Sequence, residues 1–261
     1  MRWTPMRGQA ALYSLFFQGL DWLYPPVCVG CGTLGWRWCP SCQQQVTLLT
    51  EKVCEACGAP LSSATRTFCS SCRRARPPFQ ALRSWAVFAG SLRLALHRLK
   101  YRRHIGLSES LGKPLAHFAR RLAWPVDMVV PVPLGTKRLA QRGYNQTALL
   151  ALFVAAENGW RYAPHTLWRV RETRSQVGLS LEERQVNVQG AFLADARRVA
   201  GRHVLLVDDV ATTGATLAAC TQALLTAGAQ TVYALTLARA VPGQDAPLDV
   251  PPLPGADVRL D

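Results

Sequence analysis

The 261-residue sequence is short of acids, with 16 Asp or Glu against 30 Lys or Arg and a formal net charge of +14. It has no apolar run of about 18 residues, the length a membrane-spanning helix needs, so a transmembrane segment is not expected. It also lacks the GxxxxGK[ST] loop of nucleoside triphosphate sites and the GxGxxG turn of dinucleotide sites, which removes two phosphate-binding classes. The opening MRWTPMRGQAALYSLFFQGLDWLYPP has a basic start and an apolar middle, but Gln18 and Asp21 interrupt it and no small-residue cleavage site follows. An amphipathic helix packed on the next unit fits this segment better than a secretory signal, and a cytoplasmic protein is expected.

Within this length there is room for one α/β domain of ordinary size and a smaller unit. The shortage of acids is uneven. Residues 1–126 hold 17 Lys or Arg against 4 Asp or Glu, a net of +13, whereas residues 127–261 hold 13 against 12. A front half this basic attracts polyanions.

Eight of nine cysteines form four CxxC pairs within 45 residues: Cys28 and Cys31, Cys39 and Cys42, Cys54 and Cys57, Cys69 and Cys72. Two thiolates spaced this way turn around one ion, and two such knuckles complete a tetrahedral structural zinc site with no open position. A disulfide scaffold would need an oxidising compartment, and no export signal is recognised. Two structural zinc ions are therefore expected. Pairing in sequence order closes the shorter loops and is favoured over an interleaved arrangement. Cys220, outside the cluster, reads as a buried structural thiol. Tyr24, Trp36, Trp38, Phe68 and Phe79 interleave with the knuckles, near Arg66, Arg73, Arg74 and Arg76. Rings beside positive charge suit single-stranded nucleic acid, although small zinc domains also bury aromatics as core.

The most informative stretch is VLLVDDVATTGATL, Val204 to Leu217. Its apolar start suits a strand covered on both faces. Asp208 and Asp209 then fall at the carboxyl edge of the strand, where open α/β sheets place their ligands. Ala211, Thr212, Thr213, Gly214, Ala215 and Thr216 follow as a small-residue loop before a helix expected over 217–227, with Gly228 as its cap. The unpartnered amides of a helix start bind anions, while carboxylates accept from sugar hydroxyls and repel phosphate. The order of acids and loop thus points to a ribose 5-phosphate group. Upstream, MVVPVPL reads as a strand and the loop after it carries Lys137, Arg138 and Arg142 on the same rim, a cation cluster suited to pyrophosphate. The polar stretch from Arg169 to Phe192 has the length of a functional loop.

The acid pair with TTGAT closely resembles the 5-phosphoribosyl-1-pyrophosphate (PRPP) motif of type I phosphoribosyltransferases. Together with the four CxxC pairs, the LKY of Leu99 to Tyr101, PVPL followed by RGYNQ, and the RxRxTxxQxxLxxxER string from Arg169 to Arg184, it makes the chain resemble the ComF family over roughly residues 22 to 240. That resemblance implies an α/β type I phosphoribosyltransferase fold, an open and mainly parallel sheet with flanking helices, preceded by a small double zinc ribbon. The ribbon is then expected over 25–76 and the phosphoribosyltransferase-like domain over 79–240, with the amphipathic segment over 1–24 before them and, from its composition, a proline-rich disordered tail over 241–261.

Carried over by motif, Asp208 and Asp209 would hold the ribose directly or through magnesium, and 211–216 would cradle the 5′-phosphate. Lys137 and Arg138 would lie in the pyrophosphate loop, and Arg171, Arg174 and Gln176 would belong to the closing loop. No hood segment that selects a nucleobase is recognisable. Two readings follow from the resemblance. In one, an acceptor nitrogen attacks the anomeric carbon of PRPP as pyrophosphate leaves, in nucleotide salvage. In the other, a ribose-phosphate-binding protein handles single-stranded DNA during DNA uptake and natural transformation, with a competence helicase as a partner.

Overall fold

The run Val204 to Val207 lies at the centre of the sheet, fully buried, in a computed structural model that describes residues 7–49, 52–61, 66–171 and 190–243. In chain order the elements are α1 (Arg7–Leu23), α2 (Pro40–Gln44), α3 (Ser70–Arg74), β1 (Ala81–Val87), α4 (Gly90–Tyr101), α5 (Leu107–Arg121), β2 (Met128–Pro131), α6 (Thr136–Arg142), α7 (Gln146–Asn158), β3 (Arg161–Tyr162), β4 (Leu167–Arg169), β5 (Phe192–Ala194), α8 (Ala196–Val199), β6 (His203–Ala211), α9 (Ala215–Thr226) and β7 (Thr231–Arg239). The five-stranded sheet runs β1-β7-β6-β2-β3 with every pairing parallel. A separate antiparallel pair, β4 with β5, flanks the long polar stretch. Arg174, Gln176 and most of the proline-rich tail fall outside the described residues.

Alternation along β6 divides the core in two. Leu205 and Val207 pack with α4, α5 and α7, against Leu92, Leu99, Leu111 and Leu150. Val204 and Leu206 pack on the other face with Leu217, Cys220 and Leu224 of α9. The chain leaves β2 through α7 towards one edge of the sheet and leaves β6 through α9 towards the other. Strand order therefore reverses between β2 and β6, the point beyond whose carboxyl ends this architecture usually places its ligands.

The four CxxC pairs build two sites of one design. In each, one pair sits on a tight hairpin, closed by the bridge Val27↔Leu34 or Val53↔Pro60, and the other straddles the start of a short helix, α2 or α3. Cys28, Cys31, Cys39 and Cys42 form one set and Cys54, Cys57, Cys69 and Cys72 the other, with the sulfurs of each set within 4.8 Å of one another. Pairing is thus sequential. Sulfur separations of 3.7 Å for Cys28 and Cys42, 3.5 Å for Cys31 and Cys39, and 3.7 Å for Cys57 and Cys69 approach the edge of about 3.8 Å that a zinc–thiolate tetrahedron requires. Backbone N–H groups of Gly30 and Cys39 donate to Cys28 Sγ at 3.4 and 3.3 Å, and that of Cys69 donates to Cys54 Sγ at 3.3 Å. Such bonds favour the thiolates that a metal needs.

The ribbon is fused to the sheet. Leu49 N donates to Trp85 O and Val87 N to Thr47 O, so residues 47–49 pair along the outer edge of β1 and cover it. Cys28, Trp38 and Cys42 belong to the same apolar cluster as Leu92 and Leu96 of α4. At the second site Arg239, at the end of β7, donates to Cys57 O at 2.7 Å, and Arg83 of β1 donates to Glu55 O at 2.8 Å. Gly58 has φ +67°, and a Cβ there would lie 2.5 Å from Leu82 O, so only glycine lets the knuckle approach β1 this closely. Trp38 is 1% exposed and Phe79 4% exposed, which makes them core and removes both as stacking platforms. Helix α1 lies mainly on α7, where the Tyr13 ring meets Phe153 edge-on at 5.6 Å and its hydroxyl donates to Ile105 O. Asp21 pairs with Arg37 of the ribbon.

Because metal ligands and sheet residues share one apolar cluster, zinc should support more than the ribbon. Removing it with a strong chelator is expected to lower the melting of the whole chain in one transition, since site and core unfold together. Calorimetry that resolves a metal-independent upper transition at the original temperature would show that the ribbon is energetically separate.

Candidate ribose-phosphate site

At the carboxyl end of β6 the strand's period of two turns the adjacent acids to opposite faces. Asp209 continues the side of Val207, under α4 and α7. It is 5% exposed, and both its oxygens are engaged: Lys100 Nζ donates to Oδ1 at 2.8 Å and Gln146 Nε2 donates to Oδ2 at 2.7 Å. Asp208 continues the side of Leu206, towards α9. Its Oδ1 accepts from the Asp209 backbone N–H at 2.8 Å and from Thr147 Oγ1 at 3.4 Å. Burial pushes the Asp208 carboxyl up to about 7 and the Asp209 charge adds to this, while the Asp209 N–H, Lys100 and Thr147 pull it down.

The string Arg142 to Thr147 builds the opposite wall. Gly143 takes the left-handed conformation that ends α6. Tyr144 donates its hydroxyl to Leu99 O, which ties the segment to α4. Asn145 caps α7 by accepting from Thr147 N at 3.0 Å, and donates through Nδ2 to Val132 O just beyond β2. Gln146 and Thr147, the first residues of α7, are thereby aimed at the acids. Arg142 Nη1 donates to Gln146 Oε1 at 2.9 Å, extending the chain of contacts from Asp209 to α6.

The small-residue loop is shorter than the sequence suggests, because both flanking elements run into it. Ala211 ends β6, Gly214 has φ +81° and serves as N-cap, and α9 begins at Ala215, two residues earlier than expected. A glycine N-cap has no side chain to bond the first-turn amides, so they are left to other acceptors, with Ala215 N taking Thr213 Oγ1 at 3.2 Å. Thr212 is exposed, and Thr213 and Thr216 are half-buried. The stretch read as a basic loop is the short helix α6, on which Lys137 and Arg138 are exposed. Arg171 lies exposed at the end of the β4 side of the long polar stretch.

Lys100, Gln146 and Thr147 received no role from sequence reasoning. For Lys100 and Gln146 the signal was present in the LKY and RGYNQ strings, but one lysine in the basic run SLRLALHRLKYRRH looks like any solvated cation, and Thr147 follows the second string.

Comparison with known proteins agrees with this architecture. Residues 19–74 match the double zinc ribbon domain and residues 150–250 the phosphoribosyl transferase domain. The DNA utilization protein YhgH of Salmonella typhimurium is 36% identical over 210 residues, covering 78% of this chain and 91% of its own length. Competence protein F of Haemophilus influenzae is 29% identical over 213 residues, covering 77% of this chain and 90% of its own. Among solved structures, the allosteric regulatory enzyme of purine biosynthesis aligns with a TM-score of 0.35 and 25% identity over 49% of this chain, which spans only 25% of that enzyme. Fold and metal sites define a type I phosphoribosyltransferase-fold protein with an N-terminal zinc ribbon carrying two four-cysteine sites. Within that class, the chain belongs to the ComF family.

The raised Asp208 carboxyl has a consequence for stability. Its folded pKa of about 7 exceeds the unfolded value of about 3.9, so the folded state holds the extra proton between these values and stability falls as pH rises across that window. Without ligand or magnesium, Asp208→Asn should flatten this dependence and gain at least about 1 kcal/mol over the parent at pH 8. Urea unfolding at pH 5 and pH 8 measures it; equal destabilisation at both values would contradict the assignment.

Proposed function

We propose that this protein binds PRPP or a related ribose 5-phosphate group in the crevice between β2 and β6, and that it handles single-stranded DNA in the cytoplasm during DNA uptake. The observation that carries the first part is Asp208 in the carboxyl-terminal part of β6, three residues before the strand gives way at Ala211 to a loop whose helix start has a glycine cap. In this reading the amides of 212–216 hold the 5′-phosphate and Asp208 accepts from the ribose hydroxyls. The cations Lys137 and Arg138 meet the pyrophosphate. Magnesium, when bound, would neutralise pyrophosphate charge. The donor set fits that role better at Asp208 than at Asp209, whose oxygens already serve Lys100 and Gln146. Asp209 then acts through position, holding the Lys100 ammonium and the start of α7 against the site.

The DNA part is supported by the names of the relatives, a DNA utilization protein and a competence protein, and by the +13 balance of residues 1–126. A second reading, transfer of the phosphoribosyl group to a base or amine, is favoured by the intact acid and loop. Positioned cations would then stabilise the departing pyrophosphate. Release of pyrophosphate from PRPP with a panel of bases separates turnover from binding alone.

Calorimetric titration with PRPP and magnesium should show binding to the parent, and Asp208→Asn should weaken it at least tenfold without loss of fold. Asp209→Asn is the poorer probe because it leaves the Lys100 ammonium without its counter-charge. Unchanged affinity in Asp208→Asn would remove Asp208 from the ligand site.

A further inference from the structure

The last turn of α4 carries a cluster that the ribose-phosphate reading leaves unused. Tyr101 is 61% exposed. One turn earlier on the same face is the exposed His97, with ring centroids 4.8 Å apart. Across from α6, the Arg142 guanidinium sits 4.9 Å from the Tyr101 ring centroid. Arg102 and Arg103 follow, both exposed, and Arg103 takes a left-handed φ of +54° as the chain turns away from the helix. His97 is held below its usual pKa first by burial and then by Arg98, Arg102, Lys100 and Arg93, a crowd of like charge.

Like charges collect at this density on a folded surface at a cost in self-repulsion, which a polyanion relieves. A phosphodiester strand supplies the charge, and its bases supply faces for a ring that is 61% exposed. Among the rings near the ribbon, Trp38 and Phe79 are buried and Phe68 lies under the Arg76 guanidinium at 3.4 Å, whereas Tyr24 and Trp36 are exposed and stand as the competing platform that the test below separates. The cluster also adjoins the crevice. Lys100, beside Tyr101 in the chain, reaches Asp209, and Arg142 is joined to Asp209 through Gln146.

From this juxtaposition we propose that His97, Tyr101, Arg142, Arg102 and Arg103 form a nucleobase-stacking platform that guides single-stranded DNA along the end of α4 to the mouth of the ribose-phosphate crevice. The inference rests on the reading that the protein handles single-stranded DNA, and adds where the strand lies. Base stacking on Tyr101 supplies sequence-tolerant affinity and the arginines supply the salt-dependent part.

Fluorescence anisotropy with a labelled oligothymidylate, on the full zinc-loaded chain, tests both levels. Tyr101→Ala should weaken binding about 5- to 150-fold, the range for one lost stacked base, with the salt slope unchanged and with Tyr101→Phe close to the parent. Arg102→Ala with Arg103→Ala should instead reduce the log–log salt slope by about 1.4, at roughly 0.7 per phosphate contact on a single strand. A strand bearing 5-iodouracil should crosslink to Tyr101, read by peptide mass spectrometry. Tyr101 is exposed, so its removal leaves the core intact. If the parent binds and Tyr101→Ala binds equally well, with loss on Trp36→Ala instead, the platform is wrong while DNA handling stands. If Tyr101→Ala loses a free nucleotide and the oligomer equally, and the oligomer binds no tighter than the nucleotide, the ring serves a bound nucleotide and the strand path is overturned. No binding by the parent at low salt overturns both.

Discussion

The ion pair between Lys100 and Asp209 is the contact on which the arrangement of the site depends. A carboxylate at the carboxyl end of a central strand is held away from water on the α4–α7 side, and leaving its charge unpaired there would cost several kcal/mol. Lys100 from α4 and Gln146 from α7 meet it together. The pair thereby fixes the end of one helix and the beginning of another over β6. The remaining polar contacts of RGYNQ follow from that placement, because Asn145 must cap α7 and Tyr144 must reach back to α4 for Gln146 to point inward.

This geometry separates two acids that look equivalent in the chain. Strand alternation sends Asp209 into a satisfied polar network and leaves Asp208 towards the loop and α9, with a raised pKa and the Thr147 hydroxyl in contact. Proximity in sequence here produces divergence in role. Asp209 builds the floor, and Asp208 lies on the side of the loop and α9.

The zinc ribbon has a structural reason to be where it is. A parallel sheet with an exposed edge strand invites pairing with another chain, and residues 47–49 cover β1 instead. The ribbon is too small to bury a sufficient core of its own, so Trp38 and the first set of cysteines complete a core they share with α4 and β1. α4 therefore carries metal-site packing on one face, Lys100 at the crevice, and the exposed ring and arginines at its end.

By itself, the sequence determined the elements whose chemistry is local. Four CxxC pairs at short spacing dictate two four-thiolate sites, because each knuckle and each loop closure is a matter of a few residues. An apolar run followed by acids and TTGAT dictates strand, turn and helix, and places the acids at the strand's carboxyl edge, since period and turn chemistry act over the same range. Tertiary structure alone decided which side chains meet across long separations. That Lys100 pairs with an acid 109 residues away, that Trp38 is core and Trp36 half exposed, and that α6 replaces an expected loop all depend on how helices pack on a twisted sheet. A solvated lysine and a buried one have the same local sequence, and only packing removes the water that distinguishes them.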